Sequence, residues 1–140
     1  MTNKEKLKAL SEKYGLVGED FFKSPQGWVI ITRQGIDKIQ EAGNFTIEYE
    51  VLSYTPKVEA SVKAKAQNEK RQIETYGSAI VGGFGQGTTK SLYTLEMAEK
   101  RAMSRAVLKL SGFYALGVMG KEELHEDDSN LKKDSGQFKA

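Results

Sequence analysis

The sequence predicts an α+β fold whose core is a three-stranded antiparallel β-meander packed against one long α-helix. Two observations lead to this prediction. Apolar and polar residues alternate along much of residues 45–81, which is typical of half-buried strands. Between residues 92 and 113 the apolar residues instead recur every three or four positions, which is the spacing of one side of a helix. We therefore expect a β-β-β-α core preceded by short N-terminal helices.

The first short helix is expected at the N-terminus. Thr2 and Glu5 have the spacing of a capping box, and apolar residues follow at helical intervals up to Tyr14. Gly15 then ends the pattern. After a less regular stretch, residues 29–32 are predicted to form a brief strand.

A second short helix is expected just ahead of the meander. Residues 35–42 place Ile36 and Ile39 on one side of a helix, facing inward. Gly43 and Asn44 follow, and both residue types adopt the left-handed conformation that commonly ends a helix.

The meander is predicted from a change of period from 3.6 to two. The expected strands are residues 45–51, 57–67 and 73–81, and the expected turns are residues 53–56 and 68–71. In the second strand, Val58 and the alanines and valine at every second position after it face one way. Lys63 and Lys65 face the other way, so the strand is expected to be half-buried with a basic outer face.

A glycine-rich loop at residues 82–87 joins the third strand to the long helix. On a helical wheel the apolar side consists of Leu92, Leu95, Ala98, Ala102, Ala106, Leu110 and Phe113. Arg101 and Arg105 are predicted on the opposite side of the helix, with Lys109 one turn further on and Lys100 off to the side. Such a helix would pack on a sheet and present positive charge to phosphates, although a solvated helix face has the same pattern.

Composition and length bound the possible functions. The chain has 140 residues, no cysteine, one histidine and a formal net charge of +2. Thiol catalysis and thiolate or histidine-cluster metal sites are excluded, and no cofactor is expected. We expect one domain over residues 1–120 and a disordered polar tail over residues 121–140. No signal peptide or long apolar run is visible, so we expect a cytoplasmic protein of a bacterial or phage-infected cell that does not enter a membrane.

Two patterns in the sequence resemble catalytic sites, but neither is complete. The glycines ahead of Lys90 and Ser91 resemble a phosphate-binding loop, but such a loop requires a glycine directly before its lysine, and two threonines intervene here. Glu96 and Glu99 share a helical turn without a set of metal-ligating partners, so we expect them to form structural ion pairs. The sequence therefore predicts a protein that is not an enzyme.

Basic residues interleaved with aromatic ones favour single-stranded nucleic acid as the ligand, because such sites combine a positive groove with stacking platforms. The helix contributes one set of candidate residues, and the second strand and its following turn contribute another. The candidate DNA-binding residues are Arg101, Arg105, Lys109, Lys100, Lys63, Lys65, Lys70, Arg71 and Lys90. The aromatic residues available for stacking are Trp28, Tyr76, Phe84 and Tyr93.

The chain resembles the Rad-fifty-two family of single-strand annealing proteins, together with its phage relatives in the Redβ, Erf and Sak grouping. The resemblance covers about residues 35–117. It rests on the helix at 35–44, on the Glu-Thr-Tyr-Gly-Ser-Ala segment at 74–79 that runs into the glycine-rich turn, and on residues 90–117. The third part is the most specific, and it includes Lys-Ser-Leu-Tyr-Thr-Leu-Glu-Met-Ala-Glu-Lys-Arg-Ala at 90–102.

The resemblance implies a β-β-β-α core that assembles into rings or filaments and holds single-stranded DNA in a groove between sheet and helix. Of the basic helix residues, Arg105 matches the family best, followed by Lys109 and Arg101. The resemblance does not include the family's long C-terminal recombinase-binding extension, so a mediator role is not expected.

We therefore expect an ATP-independent protein that binds single-stranded DNA and anneals complementary strands in homologous recombination and repair. Its expected partners are single-stranded DNA, further copies of itself, and a single-strand binding protein or an exonuclease. The sequence leaves two alternatives open. The chain could protect single strands without annealing them, or it could be a structural oligomerisation module.

Overall fold

The computed structural model describes residues 2–82, 88–121 and 132–133. Within these residues lie three α-helices and two four-stranded mixed sheets, which confirms the α+β class. The helices are α1 (Asn3–Lys13), α2 (Arg33–Gly43) and α3 (Thr94–Ser111). The strands are β1 (Phe21–Lys23), β2 (Val29–Ile31), β3 (Thr46–Thr55), β4 (Glu59–Gln67), β5 (Gln72–Val81), β6 (Thr88–Thr89), β7 (Met119–Gly120) and β8 (Lys132–Lys133).

The expected N-terminal helices are confirmed, and local side-chain contacts explain where they begin. The hydroxyl of Thr2 accepts a hydrogen bond from the amide of Glu5 at the start of α1. The hydroxyl of Thr32 accepts one from the amide of Gly35 at 3.1 Å, so α2 begins two residues earlier than expected. Asn44 is left-handed, with φ of 53°, and ends α2 as predicted.

The large sheet contains β3, β4, β5 and β6 in that order. The first three strands pair antiparallel along the chain, and β6 adds a short parallel strand beyond β5 that the sequence pattern did not predict. The turn expected at residues 53–56 is displaced, because β3 continues to Thr55 and Lys57 adopts the left-handed conformation. As a result Val58, expected to face the core, lies in the turn and is exposed.

The small sheet has the order β7, β2, β1, β8, and of its strands only β2 was predicted. Strand β7 joins β2 in parallel, and β8 joins β1 antiparallel. Strand β8, Lys132–Lys133, lies within residues 121–140, which we expected to form a disordered tail. The remaining residues after Lys121 lie outside the described part of the chain, as do residues 83–87 of the glycine-rich loop.

Helix α3 lies at the centre of the molecule. One side contacts β4 and β5, while other sides contact α2 and β7. Its buried residues therefore surround much of its circumference, and they are Thr94, Ala98, Arg101, Ala102, Met103, Ser104, Ala106, Val107, Leu108, Leu110 and Ser111. Leu92, assigned to the apolar side, is instead exposed ahead of the helix. No helix in the described residues has both the length and the apolar character needed to cross a bilayer.

Candidate nucleic-acid interface

The candidate interface begins with an unusually close approach between α3 and β5. A Cβ atom at Gly77 would overlap the carbonyl oxygen of Ala98 and the amide nitrogen of Ala102, so only glycine fits there. At Thr75, two residues earlier in β5, the buried hydroxyl donates a 2.7 Å hydrogen bond to the carbonyl of Ala102. The helix backbone thus lies directly on the sheet. Arginine side chains from α3 can therefore reach past Gly77 to the edge of β5.

Arg101 is the first of these side chains, and its position corrects the sequence prediction. It was expected on the solvent side of the helix, but only 6% of its surface is exposed. Its guanidinium donates hydrogen bonds to the carbonyl of Ser78 in β5, at 2.8 Å, and to the carbonyl of Thr88 in β6, at 3.0 Å. Arg101 therefore joins α3 to two strands. A helical-wheel diagram predicts that this side chain is exposed to solvent, but it is buried between the helix and the sheet.

Arg105 follows one turn later along the same side of α3. Its guanidinium donates to the carbonyl of Tyr76 at 2.8 Å, two residues from the carbonyl that Arg101 contacts. Alternate residues of a strand point their carbonyl groups to the same edge. The two arginines therefore lie one after the other along the edge of β5, and Arg105 is only partly buried.

Two further cations extend this line to the C-terminal end of α3. Arg71, in the turn before β5, donates hydrogen bonds to the carbonyls of Lys109 and Leu110 at 2.7 and 3.0 Å. It thereby binds carbonyl groups that have no partner within the helix, at the negative end of the helix dipole. Lys109 is exposed, and its ammonium nitrogen lies 5.1 Å from the centre of the Tyr114 ring. We refer to Arg101, Arg105, Lys109 and Arg71 together as the β5-edge row.

The outer face of the large sheet does not provide the basic wall that the sequence predicted. Lys63 faces outward as expected, but its ammonium group lies 3.4 Å from a carboxylate oxygen of Glu50 and 3.0 Å from one of Glu74. The hydrogen bonds to Glu74 and Glu50 raise the pKa of Lys63. Lys65 is also exposed, and its cross-strand neighbours are Glu48 and Glu74. Carboxylates therefore offset the positive charge of this face.

The remaining candidate cations divide between the row and other places. Lys70 is exposed beside Arg71 in the β4–β5 turn and thus adjoins one end of the row. Lys90 is exposed just after β6, near the other end. Lys100 is exposed on a different side of α3, about 100° around the helix from Arg101. The structure therefore places Lys70 and Lys90 beside the row and separates Lys63, Lys65 and Lys100 from it.

The aromatic candidates are mostly accessible. Tyr76 is exposed on the outer face of β5, and Tyr93 and Trp28 are exposed in loops. Phe84 lies outside the described residues. Among these aromatic residues, Tyr76 is in direct contact with the row, because its backbone carbonyl accepts a hydrogen bond from Arg105.

Sequence reasoning missed the two residues that bring the helix onto the sheet, Gly77 and Thr75. A signal for them was present, because Gly77, Ala79, Ala98 and Ala102 form a set of small residues on facing elements. Small residues on both partners allow backbones to approach closely.

Neither a metal site nor a known relative supplies an alternative assignment. In the described part of the chain, no three histidine, cysteine, aspartate or glutamate side chains are grouped so that they could hold a metal ion. A shallow depression between α2 and β3, lined partly by Asp37, Glu41 and Asn44, includes no residue of the β5-edge row. No family model, curated protein or solved structure matches this chain.

Proposed function

We propose that the protein binds single-stranded DNA along the β5-edge row and promotes the annealing of complementary strands without ATP. The observation behind this proposal is the alignment of Arg101, Arg105, Lys109 and Arg71 beside β5. Cations in a line suit the regularly spaced phosphates of a nucleic-acid backbone. The antiparallel β3–β5 strands under α3 agree with the β-β-β-α core implied by the resemblance to the annealing family.

The members of the row would contribute differently to binding. Lys109 and Arg71 are exposed, so their charges are accessible to a phosphate, and Lys70 adds a third accessible charge at the same end. Arg105 is partly buried and would contact a phosphate through the same guanidinium that donates to Tyr76. Arg101 is buried, so its contribution would be to hold α3 against β5 and β6 and to raise the positive potential of the row.

Annealing then requires no reacting side chain. Contacts to the sugar-phosphate backbone position a strand without reading its sequence, and they leave the base edges available for pairing. We expect weak base preference, because the row consists of charged groups rather than amide side chains placed for base edges. Further copies of the chain, in a homo-oligomer, would extend the row along a longer strand.

The test is a charge-removal experiment with a matched control. The double variant Arg105→Ala/Lys109→Ala is compared with Lys8→Ala/Arg33→Ala, which removes two exposed cations from α1 and α2. Binding to a fluorescent single strand is measured by anisotropy over a range of salt concentrations, and annealing is followed by fluorescence quenching of complementary strands. Circular dichroism reports whether each variant is folded.

Each lost phosphate contact should lower the steepness of the logarithmic salt dependence by about 0.7 for a single strand. The Arg105→Ala/Lys109→Ala variant should therefore bind weakly with a shallower salt dependence and anneal slowly, whereas the control should resemble the wild type. Equal effects of the two variants would contradict a localised site. Binding by the wild type without faster annealing would instead identify a protective single-strand binding protein, and absence of binding would favour a structural module.

A further inference from the structure

The two long edges of the large sheet differ in how they are covered. At one edge, β5 is flanked by β6 and by the guanidinium groups of Arg101 and Arg105, which occupy the carbonyls of Ser78 and Tyr76. At the other edge, β3 pairs with β4 on one side only. Strand β3 has ten residues, so it presents a long row of backbone donors and acceptors for which the described residues supply no strand partner.

The side chains of β3 also leave apolar surface uncovered. Helix α3 packs mainly over β4 and β5 and makes only a small contact with β3. The β3 residues on the helix side are the cross-strand partners of the buried alanines and valine of β4, and they include Tyr49, Val51 and Tyr54. These three side chains remain 42%, 53% and 48% exposed. An edge strand with exposed aromatic and aliphatic side chains is suited to pairing with another strand.

A β-bulge at Leu52 gives this strand a form of self-complementarity. Up to Val51 the odd-numbered residues face the helix side, but beyond the bulge Tyr54 does so. On the outer face lie Glu48 and Glu50 before the bulge and Ser53 and Thr55 after it. An antiparallel copy placed about a two-fold axis between Val51 and Leu52 therefore matches like faces where residues 48–50 of one subunit oppose residues 53–55 of the other.

We propose that two copies of the protein associate through antiparallel pairing of their β3 strands about this axis. Tyr49 then lies opposite Tyr54 of the partner subunit on the helix side. On the outer face, Glu50 lies opposite the partner's Ser53, and Glu48 opposite the partner's Thr55. Each carboxylate faces a hydroxyl group, whereas a register centred on Glu50 would place two carboxylates opposite each other. This charge arrangement and the matching of faces identify a second copy as the occupant of the edge.

This inference does not depend on nucleic-acid binding, and it constrains how larger assemblies form. A sheet that continues from subunit to subunit in one direction would need the β5 edge, which Arg101, Arg105 and β6 cover. A ring or filament would therefore join β3-paired dimers through other surfaces.

The association is tested by sedimentation equilibrium in the absence of nucleic acid. The wild type should be dimeric at tens of micromolar, and Val51→Lys should raise the dissociation constant at least tenfold, because the added charge lies beside the axis. The control is Val58→Lys, since Val58 is as exposed as Val51, at 52% against 53%, but lies outside the paired residues. A monomeric wild type, or equal effects of the two folded variants, would overturn the proposal.

The register is tested by disulfide trapping. Because the chain has no cysteine of its own, any disulfide must join the introduced residues. The variants Glu50→Cys and Ser53→Cys are oxidised separately and as a mixture. Opposed residues of an antiparallel pair lie within disulfide range, whereas residues three apart along a strand lie about 10 Å from each other. Only the mixture should yield a cross-linked dimer. Cross-linking of either variant alone, or absence of cross-linking from all three preparations of a dimeric protein, would refute the register.

Discussion

The guanidinium of Arg101 supplies hydrogen bonds that a neighbouring strand would otherwise provide. It is almost fully buried, yet two of its N–H groups meet backbone carbonyls of β5 and β6 with good distances. A buried arginine is tolerated when its donors are satisfied, and hydrogen bonds from a charged donor are stronger than neutral ones. The positive charge of Arg101 therefore strengthens hydrogen bonds that stabilise the fold, and it also adds to the positive potential of the row.

Replacing Arg101 by alanine should destabilise the protein by about 3 kcal/mol, because two carbonyls near the core lose charged donors. Lys100→Ala is the matched control, since Lys100 is the adjacent residue of the same helix but is exposed. It should change the free energy of unfolding by less than about 0.5 kcal/mol. Urea denaturation of the two variants measures both values. Similar, small effects would mean that the Arg101 contacts contribute nothing net to stability.

Tyr49 provides a second residue-scale prediction, concerning pH. Partial burial raises the pKa of its phenol, the Glu99 carboxylate raises it further, and Arg33 opposes the shift. A raised pKa means that the folded state holds the phenolic proton more tightly than the unfolded state does. The resulting stabilisation is present below the usual tyrosine pKa of about 10 and is lost as the pH rises through the folded-state pKa.

As the pH increases from about 9 to about 11, the wild type should therefore lose more of its free energy of unfolding than the Tyr49→Phe variant does. Denaturation at several pH values measures it, and spectroscopic titration of the phenolate gives the pKa directly. A difference that stays constant over this range would show that Tyr49 titrates alike in the folded and unfolded states.

At the scale of elements, the contact between α3 and β5 depends on Gly77. Alanine at this position would overlap helix backbone atoms, which cannot rotate away as a side chain can. We expect Gly77→Ala to cost more than about 3 kcal/mol and to displace the row from the β5 edge. Gly27→Ala is the control. Gly27 has φ of 89° but no atom within 4 Å of its added Cβ, so only backbone strain of about 1 kcal/mol is expected. Thermal unfolding of both variants distinguishes overlap from strain.

Elements with several periods of a clear pattern were predictable from the sequence. Helices α1 and α2 have caps and apolar spacing, and β4 alternates over nine residues between exposed and buried faces. Strands β1, β6, β7 and β8 have two or three residues each, which is too short for any period to be recognised. Their existence depends on tertiary pairing, so the second sheet could not be read from the sequence.

The candidate site was predicted in part, for a related reason. A wheel diagram assumes one buried side, but α3 is buried on several sides. Some apolar residues of α3 face the small sheet and α2 instead of the large sheet. They shift the apparent centre of the buried side on the wheel away from the large sheet, so the wheel places Arg101 in solvent. The cross-strand carboxylates Glu50 and Glu74 were also missed as partners of Lys63, because alternation identifies a face but not the register between strands.

At the scale of the whole molecule, the β5-edge row lies where α3 meets β5, while the exposed Tyr49, Val51 and Tyr54 lie on β3 at the opposite edge of the large sheet. The proposed DNA contacts and the proposed subunit contact therefore use different edges. A dimer formed through β3 leaves both rows accessible, so the two activities need not compete. Variants of one edge should leave the other function intact, and the Val51→Lys and Arg105→Ala/Lys109→Ala proteins can be compared in both assays.

The covered β5 edge also has a consequence for solubility. A sheet with two open edges can add copies indefinitely and is a template for fibres, whereas a sheet with one open edge stops growing when that edge is occupied. Because Arg101, Arg105 and β6 cover the β5 edge, strand pairing should stop at the dimer. In the absence of nucleic acid, particle size should therefore reach a plateau as concentration increases. Light scattering over a concentration series would reveal the plateau. Loss of both Arg101 and Arg105 should remove it, and thioflavin-positive fibrils would then be expected to form.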